Sequence, residues 1–331
     1  MLEREPAGRW IRRFLLEHVV AERNLSRNTQ KSYRDTMTLL LPFVARKTDR
    51  AVDRLALEDF TPETIRGFLN SLEKDRGSSV ATRNQRLATV HAWTRFVAEH
   101  LPEQVVWSSQ VRAIPFKKGP RSVVAYLEKP EMDALLDAPD RGARQGSRDY
   151  ALLLTLYNSG ARASEIAQAI IADLDLGRSP SIRVQGKGNK TRLCPLWRKT
   201  VDVLAPLVAG RGSAEPIFLN RSRRPFTRFG ILVLVKRYAT QAARQAPSLS
   251  RKKVGAHTIR HTTAVHLLRA GVDINTIRAW LGHVSLNTTN IYAEIDLEMK
   301  AKALAHCEPV AAKPGKRWRE EPGMLAFLRA L

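Results

Sequence analysis

From Trp10 to about Leu101, apolar residues recur at three- and four-residue spacing, and no alternating, strand-like stretch interrupts them. Tyr33, Met37, Leu40, Leu41 and Val44 form one stripe, and Ile65, Phe68, Leu69 and Leu72 form another. A stripe of that period is buried only when another helix covers it, so this region is predicted to be an all-helical unit of four helices. Thr61-Pro62-Glu63 marks one start, with threonine as cap, proline in the first turn and glutamate at the positive helix end. The fourth helix, roughly Val80 to Glu99, sets Arg83, Asn84 and Arg86 opposite Leu87, Val90, Thr94 and Val97. Its polar side is expected to face a partner.

The pattern then breaks. Residues 111–122 are basic, proline-bearing and non-periodic, with Lys117 and Lys118 at their centre, and read as a linker between a helical domain at 1–110 and a second domain at 123–308. That second domain is predicted to carry helices near Pro130 to Leu136 and Arg148 to Tyr157. Two short strands follow, Ser181 to Val184 and Thr191 to Pro195, and then mainly helical sequence. The fold class is therefore mainly α with a small β-sheet. A tail at 309–331 ends in an apolar run containing Leu325, Phe327, Leu328 and Leu331, fit to dock within its own chain or on a neighbour.

Lysine and arginine total 55 against 32 acidic residues, a formal charge of +23. Such an excess favours a polyanionic partner, bound tightly at low salt through counterion release. Aromatic residues make up only 7%, so gripping a duplex backbone is a better expectation than stacking on single strands. The longest apolar run, around Tyr150 to Tyr157, is too short to span a bilayer, and the charged start Leu2-Glu3-Arg4-Glu5 does not read as a signal peptide. No membrane partner and a cytoplasmic location are expected. The two cysteines, Cys194 and Cys307, are far apart and suggest neither a disulfide nor a zinc site.

Late in the chain stand His257-Thr258-Ile259-Arg260, Leu281-Gly282-His283 and Asn290-Ile291-Tyr292. Upstream, Ser159-Gly160-Ala161-Arg162 places an arginine just past a helix end, and Gln185-Gly186-Lys187-Gly188-Asn189-Lys190 places lysines on a turn between the two strands. An unperturbed tyrosine ionises at about pH 10, so at neutral pH only about a thousandth is phenolate, a deficit of about 4 kcal/mol unless a neighbour takes the proton. Attack on a phosphodiester also adds charge to a group that is already anionic, and guanidinium forks meet that charge better than ammonium points. His257 and Arg260 are spaced i, i+3 on a helix predicted from about Thr258 to Ala270, so they share one face.

The order Arg162, Lys187, His257, Arg260, His283 and Tyr292, with the short sequences around each, resembles the tyrosine recombinase (phage integrase) family over roughly residues 10–305. The resemblance implies a SAM-like, core-binding helical domain followed by an α+β catalytic domain. It also implies a site-specific recombinase or integrase that breaks and rejoins double-stranded DNA, assembled as a homotetramer and needing no metal or nucleotide cofactor. Tyr292 would be the nucleophile, Arg162 and Arg260 the phosphate clamp and Lys187 the proton donor to the leaving group, with Lys190 as its rival. His257 would move the nucleophile's proton and His283 would bond the phosphate, although those two roles are interchangeable on sequence. Phosphate contacts are expected from Arg83, Asn84, Arg86, Lys117, Lys118, Lys190, Arg192, Arg223, Arg224 and Lys252. A DNA-binding regulator without turnover and a type IB topoisomerase are the alternatives. His257, His261 and His266 lack the further ligands and the His-Glu-x-x-His pattern of a zinc site.

Overall fold

Three helices in the first part of the chain begin where a hydroxyl can catch an orphan amide. Ser26, Thr61 and Ser79 accept from the backbone N–H groups of Thr29, Thr64 and Thr82 at 3.4, 3.2 and 3.2 Å. The computed structural model divides into two compact units, Met1–Ser122 and Val123–Leu331. It describes residues 5–119, 125–186, 190–282 and 329.

In the first unit, α1 (Ala7–Arg13) continues in wider π-helical turns over Phe14–Glu22 and is followed by α2 (Arg27–Thr48), α3 (Pro62–Lys74), α4 (Val80–His100) and α5 (Val105–Arg112). The stripes read from sequence meet in one core, where Phe14, Phe60, Phe68, Trp93 and Phe96 are all but inaccessible. The helix α5 lies partly inside the segment expected to be linker. Val111 and Ile114 are buried in this core, so the irregular basic stretch starts only at Pro115.

The polar side of α4 is also used differently from the expectation. Arg83 is buried and donates to the Pro115 carbonyl at 3.0 Å, while Asn84 exchanges hydrogen bonds with the backbone of Lys117 at 2.8 and 3.1 Å. Arg86 reaches across to the Ser32 carbonyl and Thr36 hydroxyl of α2, both at 3.0 Å. These three side chains bond within their own unit, each donating to a backbone carbonyl that water would otherwise have to satisfy. Lys117 is exposed but ion-paired to Glu73 at 2.5 Å; Lys118 is exposed.

The second unit begins with α6 (Lys129–Asp137), α7 (Arg144–Ser159) and α8 (Ala163–Gln168). A three-stranded antiparallel sheet follows, made of β1 (Leu174–Asp175), β2 (Ser181–Gln185) and β3 (Thr191–Pro195), in that order. The strand β1 carries no sequence signal because it is two residues long. Helices α9 (Arg198–Val208), α10 (Arg228–Ala242), α11 (Ala256–Arg269) and α12 (Ile274–Leu281) complete it. The helix α7 is buried along almost its whole length and packs against α11. Its one buried carboxylate, Asp149, is satisfied by Arg148, Arg237 and the Tyr238 hydroxyl at 2.6, 2.7 and 2.8 Å.

Candidate active site

Three chain ends converge here: the C-terminus of α7, the start of α11 and the C-terminus of α12. Gly160 ends α7 at φ +59°, a conformation that disfavours side-chain-bearing residues, and a Cβ there would lie 2.5 Å from Leu281 Cδ2. The absence of a side chain therefore lets α12 close against α7. Arg260, one turn into α11 and 3% exposed, ties the junction: Nη1 donates to the Gly160 carbonyl at 2.7 Å and Nη2 to the Leu281 carbonyl at 2.6 Å.

Arg162 follows as the N-cap of α8. Its side chain keeps 34% exposure, and Nη1 pairs with Glu165 Oε1 at 2.6 Å. Glu165 is itself 5% exposed and accepts two further bonds on Oε2, from the Arg162 backbone N–H at 2.9 Å and from Arg192 Nη2 at 2.8 Å. Burial works to raise its pKa, but the Arg192 and Arg162 hydrogen bonds win and hold the carboxyl below its ordinary range. Glu165 thus orients Arg162 as a fixed cation.

His257 lies in the first turn of α11, with its surface open to solvent. The protein mass on its closed side lowers its pKa first, and the nearby positive charges of Arg260 and Arg162 lower it further. A neutral ring beside two guanidinium groups can accept a proton. His261, one turn on, is pushed down to about 4 by burial and then by His257 and Arg260. A cavity of about 910 Å³ opens beside His257, with Ala163, Arg228, Phe229, Lys236 and Lys253 on its walls.

The structure therefore brings Arg162, His257 and Arg260 to one junction. Lys187, His283 and Tyr292 lie outside the described residues. The described residues on either side of Lys187 lie here: Gly186 N–H donates to the Lys190 carbonyl at 2.7 Å, and a Cβ on Gly186 would lie 3.5 Å from Glu165 Oε1. The last described residue before His283 is Gly282, next to the carbonyl that Arg260 grips.

Of the residues expected to meet phosphate, Lys190, Arg223 and Arg224 are exposed on this unit. Two others face inward. Arg192 is 10% exposed and bonds Glu165 and the Trp280 carbonyl; Lys252 bonds Glu131 at 2.6 Å and the Tyr126 carbonyl at 3.0 Å. A signal for Arg192 was present in the strand period. Cys194, two residues on and buried, marks the inward face, and Leu193 between them is 68% exposed. Among the described residues, no group of three or more His, Cys, Asp or Glu side chains could hold a metal ion, and no helix is long and apolar enough to cross a membrane.

The sequence matches the Phage integrase family over residues 125–299 and the Phage integrase N-terminal SAM-like domain over residues 11–100. It is 39% identical to y4rC of Sinorhizobium fredii, named as an integrase/recombinase, across 96% of both chains. It is 31% identical to the tyrosine recombinase XerC of Myxococcus xanthus, across 89% of this chain and 96% of that one. In fold it resembles the XerH site-specific recombinase, at 22% identity with a TM-score of 0.64 over 86% of this chain and 81% of that one. It also resembles the Tn1549 transposon integrase, at 15% identity with a TM-score of 0.68 over 91% and 99%. With both halves matched, in the order in which the two units occur, the chain belongs to the phage integrase family of tyrosine recombinases.

Proposed function

We propose that this chain breaks and rejoins duplex DNA through a 3′-phosphotyrosyl intermediate on Tyr292. The observation that carries the reading is the convergence of Arg162, Arg260 and His257, drawn from distant stretches of sequence, at the junction that the Tyr292-bearing segment leaves from. Tyr292 attacks phosphorus while its proton passes to His257. Arg162, His283 and Arg260, the last exchanging one of its two carbonyl bonds for phosphate, hold the non-bridging oxygens as charge builds, and the 5′-oxygen departs with a proton from Lys187. The phosphotyrosyl ester retains the energy of the broken bond, so attack by a 5′-hydroxyl reseals the strand with neither metal nor nucleotide.

The XerH neighbour was solved bound to its difH substrate and a lambda integrase dimer was solved on a core site, which supports duplex DNA as the partner here. Exposed Lys118, Lys190, Arg223 and Arg224 are the phosphate contacts we assign. Residues 1–110 would be the core-binding domain and 123–308 the catalytic domain. Exchange between two sites would use four subunits, with residues 309–331 as the contact between them. The enzyme would work in the cytoplasm, on the chromosome or on mobile DNA.

Incubation with a nicked suicide duplex, followed by a denaturing gel, tests the reading. The expected result is a covalent protein–DNA adduct in the wild type that vanishes in Tyr292→Phe while DNA binding remains. An adduct that persists in Tyr292→Phe overturns the nucleophile. Binding by the wild type without any adduct would make the protein a regulator, and relaxation of supercoils without exchange between two sites would make it a topoisomerase.

A further inference from the structure

We infer that Arg192 is a positioning residue for strand cleavage, fixing the exit of α12 against the carboxylate that orients Arg162. The inference rests on the reading above and deepens it. Arg192 does two jobs with one guanidinium. Nη2 pairs with Glu165 Oε2 at 2.8 Å, and Nε donates to the Trp280 carbonyl at 2.8 Å. Gly282 then lies flush on its stem, since a Cβ there would come within 3.3 Å of Arg192 Cδ and Nη1.

The consequence is a brace across three elements. Its base is β3, the strand that follows Lys187 and Lys190 in sequence. One arm reaches the Glu165–Arg162 pair, and the other reaches the last turn of α12, three residues before His283. Arg260 grips the neighbouring Leu281 carbonyl, so the two final carbonyls of α12 are each held by a different arginine. A single bond would leave this end free to pivot about it; two bonds from separate elements fix its direction.

Glu165 also balances charge between two guanidiniums. Loss of Arg192 leaves the whole carboxylate to Arg162, drawing that cation away from the phosphate it would serve. The effect falls on the rate of the bound complex and not on affinity, because Arg192 is turned inward and only 10% exposed. A residue that met phosphate directly would behave in the opposite way: its removal would lower affinity and reduce the salt slope by about 0.9 for a single phosphate.

The test compares full-length wild type, Arg192→Gln and Arg192→Lys for duplex affinity across a salt series and for single-turnover adduct formation at saturating protein. Arg192→Gln is expected to bind within about twofold of wild type with an unchanged salt slope and to cleave about 30- to 100-fold more slowly, the scale of a misplacement near 1 Å. Arg192→Lys keeps the charge but not the fork, and is expected to cleave at an intermediate rate. If Arg192→Gln does not fold, the lysine variant carries the test, since slower cleavage at wild-type affinity is expected there too. Wild-type cleavage rates with weakened, less salt-sensitive binding would overturn the inference. So would a lowered melting temperature with no change in the rate of the bound complex. A wild type that forms no adduct would instead overturn the reading on which the inference rests.

Discussion

Replacing Gly160 with alanine tests whether the seating of α12 depends on the missing side chain. Two costs add. The φ of +59° imposes about 1–2 kcal/mol on any L-residue with a Cβ. The new carbon would also stand 2.5 Å from Leu281 Cδ2 and 3.3 Å from Thr263 Cγ2, both side chains buried, and overpacking of that kind costs about 1–3 kcal/mol more. Gly210 supplies the control: its φ is +71°, but nothing lies within 4 Å of its Cβ position. Gly210→Ala should therefore show the backbone cost alone, and Gly160→Ala should lose about 2–5 kcal/mol. For a unit of this size that corresponds to a fall of several degrees in melting temperature, roughly 2–4 °C per kcal/mol. The assay is thermal unfolding of the two variants together with single-turnover cleavage at a temperature where both remain folded. Gly160→Ala should cleave more slowly because Leu281 also carries the carbonyl that Arg260 holds. Equal melting temperatures for the two variants, or unchanged cleavage in Gly160→Ala, would refute the reasoning.

His261 predicts acid sensitivity. Burial, then His257 and Arg260, set its folded pKa at about 4 against about 6.5 unfolded, so the unfolded chain binds the extra proton between those values. Its contribution is complete above about pH 6.5 and is lost as pH falls towards 4, by about 3 kcal/mol at most; His261→Gln should flatten urea midpoints measured between pH 7 and pH 5, and an unchanged slope would contradict this. Lys252→Gln should cost about 1–2 kcal/mol by leaving Glu131 without its cation, with DNA salt dependence untouched. Arg224→Gln should do the reverse, holding stability and lowering the salt slope by about 0.9, as read by filter binding across a salt series.

The helical period of the first hundred residues was legible because core stripes are a local property of the chain: Met37, Leu40 and Val44 point inward whichever helix covers them. The hydroxyl-capped helix start at Thr61 and the glycine stop at Gly160 were legible for the same reason, since caps act within one turn. The candidate site was legible as an order of residue types, with Arg162, His257 and Arg260 each placed correctly on a junction or a helix.

Apart from Arg192, which shares a strand face with Cys194, the direction of the charges was not legible. Arg83, Arg86, Arg192 and Lys252 carry the same charge as Arg223, Arg224 and Lys190 and stand in equally basic stretches, yet the first four are spent on carbonyls, hydroxyls or carboxylates inside their units. Composition favoured a polyanionic partner, and motif order pointed to the family to which the chain belongs. Only tertiary structure decided which cations remain free to meet that partner. A guanidinium or an ammonium is claimed by whatever unsatisfied oxygen comes within 3 Å of it, and those oxygens, at Pro115, Ser32, Trp280 and Glu131, arrive from parts of the chain that no local window of sequence contains.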